Sequence, residues 1–225
     1  MKILVTGADL PFGGAVARHL ASNHEVRSAG RGPSADAPSY AAADWRRPDT
    51  AEALARGVDA LVHAAHFEAP VAPGWRGEDD AIERATLGTY ALVRAAREAG
   101  ADRIVGIGSL RIFDAYPENY LIDEMWKPRP RPEPAHLEPF LAEQSAREFV
   151  REGGLRGIGL RFRPIGDDPE GGTRLDDALR AVDLALALPF KVPGYRWHVF
   201  HVANSPRYLM RDAIRQLGFR PKETR

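Results

Sequence analysis

Cysteine is missing from all 225 residues. Disulfides, thiolate-bound metals, iron–sulfur clusters and cysteine nucleophiles are thereby excluded. Lysine is scarce: Lys2, Lys127, Lys191 and Lys222 are the only four, and every other basic residue is arginine. A catalytic lysine has few places to be. Neither sign of charge prevails, since 31 Lys and Arg balance 31 Asp and Glu. Nothing therefore draws the chain to nucleic acid or to an anionic membrane. No apolar run reaches membrane-spanning length, and Met1 leads into an apolar strand with no signal peptide before it. A soluble, cytoplasmic protein is the expectation. Metal-ligand spacing is also lacking. His63 and His66 flank two alanines with only Glu68 nearby, and His198 and His201 fall on opposite faces of a strand. No carboxylate pair suggests glycosidase chemistry. No metal is expected.

What is present is a regular alternation of strands and helices. The first stretch, MKILVTGADLPFGGAVARHL, organises the rest. Ile3-Leu4-Val5 reads as a buried strand, Gly7 ends it, and Phe12, Val16 and Leu20 follow at helical spacing. Further strands are expected at Glu25–Ala29, Tyr40–Ala43, Asp59–Ala64, Arg103–Gly108, Gly157–Phe162 and Val199–Val202. Asp49 with Glu52 resembles a capping box, and Gly57 closes that helix. Later helices are expected at Glu78–Ala99, Glu138–Arg151, Thr173–Leu188 and Pro206–Leu217, with an irregular Pro-rich stretch from Leu110. Such alternation implies right-handed βαβ units in a doubly wound parallel α/β sheet, a Rossmann-type domain spanning 1–225. Segments 163–198 and 204–225 are expected to form a small C-terminal cap.

A strand turning sharply into a helix presents free N–H groups and a positive dipole end to a pyrophosphate. Gly7 fits the turn glycine of the dinucleotide fingerprint and Gly13 the packing glycine. The middle position is Leu10, where close approach of a phosphate needs no side chain, and Asp9 adds a negative charge. The fold signal is strong and the binding signal is damaged.

Several segments together resemble the extended short-chain dehydrogenase/reductases, the NAD-dependent epimerase/dehydratases. They are TGADLPFGG, Asp44-Trp45, VDALVHAAH, LGTYALVRAAREAGADRIVGIGS, LRFRPIGDDPEGG and RLDDALRAVDLAL. Among these enzymes the chain is most similar to the uronate dehydrogenases, through Tyr116-Pro117 and the ending LGFRPKET. The resemblance implies cofactor contacts at Gly7, Leu10, Phe12, Gly13, Arg31, Asp44, Trp45, Ala64 and Ala65, and substrate contact at Arg161. It also implies a Ser followed by Tyr-x-x-x-Lys. Ser109 fills the first position, but the pair reads Phe140 and Gln144, and an Asn usual on the long helix is Ala85. Phe carries no transferable proton and Gln no charge. Tyr116, Tyr120, His136 and Arg147 are the candidate substitutes.

Dinucleotide enzymes specific for NAD place an acid at the end of the second strand. Here that position is Gly30, followed by Arg31, so NADP is expected over NAD, with weak binding. The resemblance further implies a sugar or sugar-acid ligand, and a homodimer through the helices at 78–99 and 138–151 using Leu87, Leu92, Phe140 and Phe149. Three functions follow: a dinucleotide-binding homologue with impaired catalysis, an active NADP-dependent sugar oxidoreductase or epimerase with a rearranged acid/base, or a non-binding structural partner.

Overall fold

The computed structural model describes residues 1–34, 36–166, 171–190 and 196–222. Parts of the expected cap and the Glu-Thr of the ending lie outside these. Seven parallel strands form one sheet: β1 (Lys2–Thr6), β2 (Glu25–Gly30), β3 (Tyr40–Ala42), β4 (Ala60–His63), β5 (Arg103–Ser109), β6 (Arg156–Phe162) and β7 (Trp197–Val202). Their order is β3-β2-β1-β4-β5-β6-β7. This is the doubly wound Rossmann-type arrangement, with the switch point between β1 and β4. Ligands of such sheets bind outside the strand C-termini at that crevice.

The central strands β1 and β4 are mostly apolar and buried because both faces are covered. Ile3 and Val5 face α1 (Pro11–Ala21) and α6 (Leu175–Ala187), whereas Leu4 faces the opposite layer. That layer holds α2 (Pro48–Ala55), α3 (Trp75–Glu83), α4 (Thr89–Glu98) and α5 (Pro134–Glu152). Each fully buried Leu, Ile or Phe contributes about 1.5–3 kcal/mol. α6 packs beside α1 on the sheet, so this part of the expected cap segment lies within the main layer.

Helix boundaries depart from expectation where side chains compete with propensity. No capping box forms at α2: Arg47 is the N-cap, makes no side-chain cap bond, and Pro48 opens the helix. Pro is pre-organised for a first turn. For the same reason α5 begins at Pro134, one turn before the sequence suggests, and accommodates Pro139. The long helix is interrupted by a π-turn at Arg84–Gly88. At the C-terminus only a short helical turn ending in Ala213–Leu217 forms, since Tyr208 pairs with Ile122 instead.

At the first turn Gly7 has φ +76, and a Cβ there would lie 2.6 Å from Ala65 Cα. A Cβ on Gly13 would lie 2.1 Å from the Gly7 carbonyl oxygen. Helix and loop thus touch backbone to backbone. Gly13→Ala is expected to cost about 1–3 kcal/mol by overpacking, whereas Gly166→Ala, with nothing within 4 Å, changes little. Urea unfolding of both variants checks this.

Candidate functional site

The site lies at the C-terminal edge, where the β1–α1 loop, the β4 loop and the start of α5 converge. Leu10 is the N-cap of α1 in extended backbone and Pro11 follows at N1. The first helical bond runs from Gly14 N–H to Leu10 O at 2.9 Å, so the N–H groups of Phe12 and Gly13 have no intrahelical acceptor. No acidic residue occupies the first turn. These groups can hold a pyrophosphate. Leu10 is half-buried beside them. The ring of Phe12 points elsewhere. It is 4% exposed and packs edge-on to Phe67 and Phe162, at 5.3 and 5.5 Å. Only its backbone is available to a ligand.

Asp9 does not face the helix end. Its Oδ2 accepts from the N–H of Arg31 at 3.0 Å and of Gly32 at 2.8 Å. Arg31, expected to meet a 2′-phosphate, places Nη2 3.2 Å from Asp80. Both premises of the NADP expectation therefore change on folding: a carboxylate is present at the end of β2, and the guanidinium is paired. Asp44 is held by Arg46, at 2.9 Å (Oδ1 to Nε) and 2.7 Å (Oδ2 to Nη2). Those hydrogen bonds keep its carboxyl below the usual range. Trp45 lies in the core, edge-on to His63 and against Gly88. Its indole is not free for adenine. Ala64 is buried and Ala65 abuts Gly7, so both line the turn.

From Asp44 a chain of ions runs inward. Arg46 reaches Asp80 at 2.9 Å, Asp80 pairs with Arg84, and Arg84 lies 3.2 Å from Glu138. Glu138 also bonds His66 Nδ1 at 3.0 Å, both side chains being 2% exposed. His66 Nε2 and His63 Nε2 share the Thr89 hydroxyl, at 3.3 and 3.0 Å, and His63 Nδ1 meets Thr6 Oγ1 at 2.7 Å. The π-turn places Arg84 in this chain, and such turns recur at functional sites. Removing one partner of a buried ion pair typically costs about 3–5 kcal/mol.

Ser109 is buried, and its Oγ accepts from Arg111 N–H at 3.2 Å, capping a short 3₁₀ turn. It borders a cavity of about 180 Å³ with His66, Arg111, Glu138, Pro139 and Pro164. Glu68, at its lip, has φ 52, an uncommon conformation for a non-glycine residue. Arg111's guanidinium has no partner among the described residues. Phe140 and Gln144 do not line this cavity. Phe140 packs instead against the cluster of Leu110, Phe113 and Tyr208. The face of α5 toward Ser109 carries Glu138 and Pro139, two residues and one residue before Phe140.

The candidate substitutes lie elsewhere. The Tyr116 hydroxyl donates to Lys127 O, Tyr120 is exposed, His136 faces Asp114 and Arg147 pairs with Glu148. Arg161 borders a different cavity, of about 610 Å³, with Trp126, Arg147 and Trp197. It is 4% exposed, and Glu143 receives its Nε and Nη2 at 2.8 and 2.6 Å. Sequence reading missed the His66–Glu138–Arg84 group and Arg111. His66 and Glu138 are 72 residues apart and carry no shared motif. Arg111, two residues after Ser109, could have been found by its position alone. No group of metal ligands occurs among the described residues, and no described helix is long and apolar enough to cross a membrane.

Burial pushes His63 well below the ordinary histidine value, helped by His66, and burial does the same to His201, helped by Arg161. Both are neutral in the fold and take up protons in the unfolded chain near 6.5. Their stabilising contribution is complete above that pH and is lost as pH falls below it. Unfolding free energy is expected to drop from about pH 7 to about pH 5, approaching about 1.4 kcal/mol per pH unit for each histidine. Denaturant titrations across that range check the slope.

The sequence matches the NAD-dependent epimerase/dehydratase family over residues 3–187. Uronate dehydrogenase from Agrobacterium tumefaciens superposes with TM-score 0.81 at 21% identity, over 99% of this chain and 84% of that one. MoeE5, solved in complex with UDP-glucuronic acid and NAD, gives 0.80 at 18%, over 100% and 95%. UDP-glucose 4-epimerase from Thermotoga maritima, solved with UDP-glucose, gives 0.79 at 17%, over 100% and 94%. At these identities the likeness is one of fold. No match was found among curated proteins.

Proposed function

The chain belongs to the NAD-dependent epimerase/dehydratase family, and within it we propose a dinucleotide-binding member that takes a sugar acid beside Ser109 with impaired hydride transfer. One observation carries the reading. The cavity wall facing Ser109 presents Glu138 and Pro139, and no tyrosine or lysine is among its lining residues within the described part of the chain. The free N–H groups at the start of α1 suit a pyrophosphate. When bound, the dinucleotide supplies the hydride acceptor or donor. The chain's own residues then orient the substrate. Ser109 bonds a sugar hydroxyl, and the Arg111 guanidinium, which has no partner among the described residues, suits a carboxylate in bidentate geometry. The relatives solved with a UDP-uronic acid or named for uronate point to the same ligand class. NADP preference is not retained in the proposal, because Arg31 is engaged by Asp80.

A second reading, working catalysis by other groups, is favoured by the His66–Glu138 pair in the wall of the same cavity. Dimerisation through α4 and α5 remains part of the proposal. Leu87, in the π-turn before α4, and Tyr90, on α4, are about half exposed, at 50% and 48%, whereas Leu92 is buried and Phe140 packs inward. Light scattering giving a monomer mass at micromolar concentration would remove it.

The test of function is turnover with NAD on uronic acids and UDP-sugars, beside calorimetry of the same ligands. A positioned acid/base is worth about 10²–10⁴ in rate, so turnover is expected near 10⁻¹–10⁻³ per second, against about 10 for a median enzyme. Ordinary turnover would select the second reading. Arg111→Ala is expected to weaken sugar-acid binding about tenfold or more, with NAD affinity unchanged. Absence of all dinucleotide binding would leave the structural-partner reading.

A further inference from the structure

We propose that Asp9 is the ribose-recognition carboxylate of this chain, delivered from the β1–α1 loop to the place that the end of β2 leaves empty. The proposal rests on the reading of the chain as a dinucleotide binder. In dinucleotide folds of this type, an acid at the end of the second strand bonds the ribose 2′-hydroxyl. Here that position is Gly30. A Cβ built on Gly30 would lie 2.2 Å from Asp9 Oδ1 and 2.6 Å from the Tyr40 hydroxyl. The space of a side chain at 30 is thus filled by the carboxylate of residue 9. A side chain at one of these positions excludes the one at the other.

The two oxygens of Asp9 have different surroundings. Oδ2 accepts from the N–H groups of Arg31 and Gly32, at 3.0 and 2.8 Å. These two bonds fix the plane of the carboxylate. No described residue donates to Oδ1, so that oxygen keeps its capacity to accept from a hydroxyl. The turn behind it is braced: Tyr40 donates to the Gly32 carbonyl, and Ser34 Oγ donates to Ala8 O at 3.3 Å. A ribose 2′-hydroxyl can donate to Oδ1. A 2′-phosphate would meet like charge there, and the nearest guanidinium, Arg31, is drawn off to Asp80 at 3.2 Å. The pocket therefore selects NAD over NADP.

A purely structural Asp9, pinning the turn to the loop, affects stability without changing the ratio of the two affinities. The experiment is calorimetry of the full chain with NAD and with NADP, with unfolding midpoints recorded alongside. Wild type, Asp9→Asn, and the exchange Asp9→Gly with Gly30→Asp are compared. Asn keeps an oxygen for the two backbone donors but loses the charge. Wild type is expected to prefer NAD by about tenfold or more. Asp9→Asn is expected to lose about 10- to 100-fold in NAD affinity, as for one charge-assisted hydrogen bond, and little in NADP affinity. The exchange variant is expected to recover the NAD preference with the acid back on β2. Equal wild-type affinities, or an Asp9→Asn variant with an unchanged ratio, would overturn the assignment while leaving dinucleotide binding intact. Binding of neither dinucleotide by wild type would overturn the functional reading and this one together.

Discussion

Backbone meets backbone at the first turn, and the geometry of the whole C-terminal edge depends on it. Gly7 lies against Ala65 and Gly13 against the Gly7 carbonyl, with no room for a Cβ at either glycine. That contact sets the start of α1 directly over the end of β1 and next to the β4 loop. Phe12, one residue before Gly13, is thereby directed into the core, where it meets Phe67 from the β4 loop and Phe162 from β6. Three consecutive parts of the site are fixed by one close approach: the helix end, the β4 loop and the strand beyond Ser109. Interiors packed this closely transmit displacement rather than absorb it.

Charge organises what the close contact leaves open. Arg31, Arg46 and Arg84 share Asp80, and Arg84 passes the chain on to the buried Glu138 and His66. A buried ionic group of this kind is weak evidence for stability, since desolvation offsets much of the attraction. Its effect here is positional. Glu138 ties α5 to the π-turn and to the β4 loop, so the helix face beside Ser109 is set by an ion pair rather than by apolar register. Phe140 follows its own preference into the apolar cluster around Phe113. Phe140 and Gln144, where the sequence suggests the Tyr-x-x-x-Lys frame, are accordingly not among the residues lining the cavity at Ser109. His66 and His63 complete the core of the arrangement, and their hydrogen bonds run without a break from Glu138 to Thr6.

The alternating apolar strands and helices determined the sheet. Periodicity is a property of neighbouring residues, so it survives in the one-dimensional record, and all seven strands were legible to within a residue or two. Gly7 and Gly13 were legible for a similar reason, because a short loop admits only glycine at fixed offsets. Phe140 and Gln144 were legible as side chains with no transferable proton and no charge. Their direction was not, because Pro134 can open a helix as readily as Pro139 can appear to delay it. The partners of charged groups were decided only by the tertiary structure. Asp9 reads beside Gly7 as a charge that repels a phosphate, yet it reaches the N–H groups of Arg31 and Gly32. Arg161 reads as a ligand contact, yet its Nε and Nη2 are held by Glu143. His66 reads as a lone histidine, yet Glu138 is its partner across 72 residues. Hydrogen bonds and ion pairs act over about 3 Å in space and are indifferent to separation along the chain, so no local pattern encodes which of them form.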